Sequence, residues 1–224
     1  MQTTLRAVLP GSIWITSTAA PGGHYVVAPA VAEGQLVGSS QISLLVNGVE
    51  LATLEVIMHL ATDASGDHLK TTRMGLKLFF LPERTPLVRL DYRADMHTAP
   101  ITHWQIHAER GSFSHLLSRA HAVRPEVVRN PYLLSSLHLA VGGERFRPCL
   151  EDFLQFLVQE CGVDSLDGWE EAVRDGREKW RRIQTRAVAR DAQTEVAEVL
   201  RIAGWTVVPP DKTPADNLQK LTAY

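Results

Sequence analysis

The chain has 224 residues, 45% of them apolar, with 23 basic against 25 acidic side chains and a formal net charge of -2. That length and apolar content can close one substantial core, and the near balance of charge excludes a global field that would draw the protein to nucleic acid or to an anionic membrane. No apolar run approaches the roughly 18 residues of a membrane span, and the opening "MQTTLRAVLPGSIWITS" makes a poor signal peptide, so a cytoplasmic protein with no membrane partner is expected.

Residues 1–40 are rich in Ala, Gly, Pro and Ser, with "SIWIT" and "HYVVAP" as short strands at an edge. "QISLLV-NG-VELATLEVIMHLA" then reads as a hairpin, because Asn47-Gly48 tolerates the positive φ of a tight turn. "GDHLKTTRMGLKLFFL", "TPLVRLDYR" and "ITHWQIHAE" follow as three more strands, and their short connections favour an antiparallel meander. Leu90 and Tyr92 alternate with Arg89, Asp91 and Arg93, and Trp104, Ile106 and Ala108 alternate with His103, Gln105, His107 and Glu109, so each of these strands has one apolar and one polar face.

The pattern then turns helical: "FSHLLSRAHAV" behind a Ser112 cap, a strand in "LSSLHLAVGGERF", and "CLEDFLQFLVQEC" after Pro148 with Glu151 and Asp152 in its first turn. A long helix begins at Asp167, with Trp169, Val173, Trp180, Ile183 and Ala187 at three- and four-residue spacing. "AQTEVAEVLRIAG" is a last helix, "WTVV" a last strand, and the residues from Pro209 a mobile tail. Strands first and helices after give an α+β fold, an antiparallel β-meander packed on one face by C-terminal helices. The expected division is a sheet region over 1–110, a mainly helical region over 111–208 packed on it, and the tail 209–224.

Cys149 and Cys161 fall in one expected helix, where about 1.5 Å of rise per residue separates them by roughly 18 Å, too far for a disulfide. With no CxxC or Cys/His knuckle a structural zinc has little support. There is no Gly-x-Ser-x-Gly elbow, Walker loop or dinucleotide fingerprint, so no cofactor is expected.

Three groups of side chains invite a functional reading. The hairpin from Arg89 to Glu109 sets Arg89 and Asp91 beside His103 and His107, where an Asp can orient a His and the imidazoles can act as general acid and base, or bind a divalent metal with Asp95 or His97. Equally, the same residues are simply the wet side of a sheet. Along the long helix, Arg174, Arg177 and Arg181 form one line and Arg182, Arg186 and Arg190 another; they can grip phosphates or an acidic partner, or pair at i,i+4 with Glu170, Glu171, Asp175 and Glu178. Finally, "VGGERFRPCLED" sets Arg145 and Arg147 before a helix N-terminus, either to hold an anion or to clasp Glu144, Glu151 or Asp152.

"HWQIHAERG", "LHLAVGGERFRPCLEDFLQFL" and the Trp/Arg helix resemble a group of actinobacterial proteins that carries no established activity. More distantly, "VRLDYRADMH" followed by a histidine-bearing strand is similar to small bacterial toxins encoded beside helix-turn-helix antitoxins, whose pattern is an Arg-Tyr-Asp-Asn strand followed by histidines. Arg89 and Asp91 fit that pattern, Leu90 replaces its Tyr and Tyr92 its Asn, and His97, His103 and His107 stand where its histidines fall. The resemblance implies a toxin–antitoxin or defence protein acting on RNA or on a partner protein through the polar face. The competing expectation is a non-enzymatic binding module that self-associates through the sheet or the long helix.

Overall fold

The structure, a computed structural model, describes residues 1–32, 41–63, 66, 68–107, 117–118, 121–122, 125–126, 129–133, 136, 139–142, 144–212 and 215–223. Most of the helix expected from Phe113 to Val123 lies outside these residues, although Leu117 and Ser118 are helical and the Ala122 amide donates to the Ser118 carbonyl at 3.1 Å. Ala108, Glu109 and most of the strand expected before Leu139 lie outside them as well.

An eight-stranded antiparallel sheet forms the body of the protein: β1 (Trp14–Ala20), β2 (His24–Ala30), β3 (Ile42–Val46), β4 (Val49–Thr62), β5 (Leu69–Phe80), β6 (Pro86–Arg93), β7 (Thr102–Ile106) and β8 (Leu139–Ala140). From β4 to β7 it is the expected meander. The other edge departs from that simple order, because the 14 residues of β4 exceed what one short neighbour can cover. Its second half pairs with β2, at Met58–Ala61, and its first half with β3, so two short strands share one side of a long one.

The β3–β4 turn takes positive φ at both central residues, 57° at Asn47 and 75° at Gly48, the backbone that a two-residue hairpin requires. It is also tied down from a distance: the Asn47 and Gly48 amides donate to the two carboxylate oxygens of Asp164 at 2.9 and 2.7 Å.

Leu54 and Val56 of β4, Leu76 of β5, and Leu90 and Tyr92 of β6 point to one face, and each is buried. Helices α1 (Gln2–Val8), α2 (Leu150–Gln159) and α3 (Trp169–Asp191) cover this face with Leu5, Phe153, Leu154, Leu157 and Val173. Trp104 of β7 stacks on Phe153, with centroids 5.4 Å apart and planes 7° from parallel, and meets Phe156 edge-on at 5.7 Å. Helix α2 starts on a capping box, in which the Asp152 carboxylate accepts the Cys149 amide at 2.9 Å and its thiol at 3.2 Å.

The N-terminal residues form a helix, α1, with Leu5 and Val8 in the core; seven residues are too few to show periodicity in the sequence. Two expectations are corrected. Residues 205–208 form no strand and expose Trp205 and Val208 to solvent. The segment beyond Pro209 contains a short helix, α5 (Leu218–Leu221), and is tied to the body, since the Asn217 amide donates to the Asp191 carbonyl at 2.6 Å and Lys220 pairs with Glu144. Helix α4 (Gln193–Ile202) lies between it and α3. Among the described residues no helix is long and apolar enough to cross a membrane.

Candidate functional sites

Antiparallel pairing of β6 with β7 puts Asp91 opposite His103 and Arg89 opposite Gln105, on the sheet face away from the helices. These four side chains close on each other. Arg89 Nε lies 3.0 Å from Asp91 Oδ2 and also donates to Gln105 Oε1; His103 Nε2 is 3.9 Å from the same Asp91 oxygen, and its Nδ1 lies 2.8 Å from the Pro100 carbonyl oxygen. Gly75, on the adjacent strand β5, pairs with Asp91, and a Cβ there would meet Oδ1 at 3.6 Å, an ordinary contact.

The group is not a solvated row. His103 is only 2% exposed and Gln105 3%, whereas a wet sheet face would leave both in water. His107 stands just beyond β7, its amide bound to the Leu87 carbonyl at 2.9 Å. Burial and the neighbouring Arg89 cation lower its imidazole pKa, against an upward pull from Asp91, and its buried Nε2 has no hydrogen-bond partner among the described residues. Asp95, considered as a metal ligand with these histidines, turns instead to Arg73 at 3.1 Å and Arg93 at 3.5 Å. Among the described residues no three His, Cys, Asp or Glu side chains converge as a metal site.

The long-helix arginines divide. Arg174 pairs with Glu171 at 2.9 Å and Arg182 with Glu178 at 2.7 Å, within the helix as expected. Arg177 and Arg181 instead reach across to α2, to Asp152 at 2.8 and 3.4 Å, and Arg177 also donates to Gln155. They join two helices. Burial would raise the Asp152 pKa, but the Cys149 amide and thiol and the Arg177 cation outweigh it and hold the carboxylate below its ordinary value.

Arg145 and Arg147 also part company. Gly142, at φ 65°, makes the turn that delivers them, and a side chain there would collide with the Phe146 carbonyl. Arg145 pairs with Glu144 at 3.1 Å and with Asp191 at the end of α3, so the clasp forms but its distant partner is neither Glu151 nor Asp152. Arg147 pairs with no carboxylate among the described residues. The residue is 4% exposed, and its guanidinium lies against two rings, 4.0 Å from the centroid of Tyr92 and 4.7 Å from that of Trp180, with Nη1 donating to the Glu144 carbonyl. Tyr92 and Trp180 read as core residues in the sequence, and no local signal marks them as ring partners of an arginine.

A last surface feature is apolar. Helix α4 has no buried residue, and Val199, Ile202, Trp205 and Val208 are 63%, 79%, 67% and 81% exposed.

Fold and sites together define an α+β protein: an antiparallel sheet with one face closed by helices, a closed His/Asp/Arg group on the other, and a buried arginine stacked between rings. Comparison with protein-family models, with curated proteins and with solved structures returns no match.

Proposed function

We propose that this protein is a binding module that associates with a second copy of itself through α4 and the residues that follow it. The carrying observation is the run of Val199, Ile202, Trp205 and Val208, each more than half exposed within ten residues of chain. Single exposed apolar residues are ordinary, but four spaced three apart along ten residues, Trp and Ile among them, are the material of an interface centre. Charge fits a second copy. Glu195 lies in the first turn of α4 and Arg201 in the last, so antiparallel helices related by a two-fold axis set each Arg201 against the other copy's acidic end.

Sedimentation equilibrium tests the reading. A dimer is expected that becomes a monomer in Ile202→Glu with Trp205→Glu, with little change in melting temperature because neither side chain is buried. A native chain that stays monomeric at high micromolar concentration sinks it.

His107 supports a second reading, a toxin or defence protein that cleaves RNA with the polar face. An imidazole held neutral near pH 7, with an Nε2 unpaired among the described residues and Arg89 nearby, suits a general base next to a phosphate-binding cation. His103 is too buried to probe cleanly, so His107→Ala is the informative variant. It should remove growth inhibition in a bacterial host while the protein stays folded; full inhibition by the folded variant rejects this role.

A further inference from the structure

The cavity beside Arg147 is the place where the protein's unmet polar demands meet. It measures about 240 Å³ and lies between β5, β6, the Glu144–Arg147 segment and α3. Five buried side-chain atoms among the described residues lack a hydrogen-bond partner, and three of them, Arg147 Nε, Trp180 Nε1 and Gln184 Oε1, belong to residues that line this one cavity. An unpaired buried polar atom is unfavourable, so three around one space favour a polar occupant there.

Charge specifies the filler. Among the described residues, Lys70, Arg145, Arg147, Arg190 and Lys220 line the cavity with Glu144 as the single carboxylate, in a protein whose overall charge is -2. Glu144 is already committed to Arg145 and Lys220, and Asp191 to Arg145. Arg147, Arg190 and Lys70 pair with no carboxylate among the described residues. A buried guanidinium with no directly paired carboxylate is unfavourable; the nearby Glu144 charge is shared with Arg145 and Lys220, and stacking between Tyr92 and Trp180 holds the group in place without neutralising it.

We infer that this cavity binds a small organic oxyanion bearing a hydroxyl group. The anionic oxygens accept from Arg147 and Trp180 and face the Lys70 and Arg190 charges, while the hydroxyl donates to Gln184. Its volume falls below the 300–1,000 Å³ that holds drug-sized ligands, which limits the ligand to a molecule of a few carbons. Lys220, on α5 and bound to Glu144, stands at the same cavity, so the C-terminal segment forms part of the wall. The site is separate from the α4 surface, and the inference does not depend on self-association.

Calorimetric titration of the full chain at constant ionic strength tests it, with glycerol 3-phosphate and glycerate as charged, hydroxylated probes and glycerol and inorganic phosphate as controls. Saturable binding of at least one hydroxylated anion is expected, tighter than inorganic phosphate, with none from glycerol; the two anions separate a phosphate from a carboxylate ligand. Lys70→Gln with Arg190→Gln removes two exposed charges without touching the core and should weaken binding by about tenfold or more. Gln184→Met should abolish the preference over inorganic phosphate. The assignment is overturned by an absence of saturable heat from both hydroxylated anions up to about 10 mM, by glycerol binding equally well, or by unchanged affinity in the folded double variant.

Discussion

Two imidazoles make this protein's stability depend on pH near neutrality. His59 is pushed below the ordinary value of 6.5 by burial and by Arg73, and His107 by burial and Arg89. Both therefore take up protons more readily in the unfolded chain. By linkage their contribution is complete above pH 6.5 and is lost as pH falls below it toward the folded values. The melting temperature should fall on acidification through this window, and His107→Gln should flatten the fall; a profile identical to that of the native chain would refute the assignment to His107. At this scale the candidate face was largely legible. Alternation with period two placed Arg89, Asp91, His103 and Gln105 together, because strand geometry alone fixes which residues share a face. What could not be read is that His103 and Gln105 are covered, since polarity at a strand position signals a wet face and burial is decided by what packs on it.

At the scale of elements, Asp152 joins α2 to α3. Its carboxylate caps the first turn of α2 and meets both Arg177 and Arg181, all within 3.4 Å. Loss of a cap costs about 0.5–2 kcal/mol, and the partly buried pair with Arg177 adds to it, so Asp152→Ala should destabilise by about 1–3 kcal/mol, a fall of several degrees for a chain of this size. Its folded pKa is depressed, so this contribution is present above the ordinary value of 3.8 and is lost as pH falls below it. A variant that melts with the native chain at neutral pH would show the link to be idle. The sequence favoured pairing within the long helix because acids stand one turn away from its arginines, and Arg182 pairs with Glu178 at i,i+4 while Arg174 pairs with Glu171 at i,i+3. Arg177 and Arg181 do not, because α2 lies against their side of α3 and offers a half-buried carboxylate in place of a solvated one.

For the whole molecule, the core joins the N-terminal helix α1 to helices far along the chain. Leu5 and Val8 of α1 are fully buried with Phe153 and Val173, residues more than a hundred positions away. Leu5→Ala should cost about 2–5 kcal/mol, and denaturant unfolding should show one cooperative transition moved to lower midpoint; a loss well under 1 kcal/mol would mean that α1 is peripheral to the fold.

By itself the sequence determined the strand series, the Asn47-Gly48 hairpin, the core stripe of α2 and the shared face of β6 and β7, because turn chemistry and side-chain periodicity act over a few residues. Tertiary structure decided that α1 is a helix, that β2 and β3 share the side of β4, that Asp164 holds the distant hairpin turn, and that Arg147 lies between Tyr92 and Trp180. Each of these rests on contacts between segments far apart in the chain, and such contacts depend on how the layers pack and leave no periodic trace in any one segment.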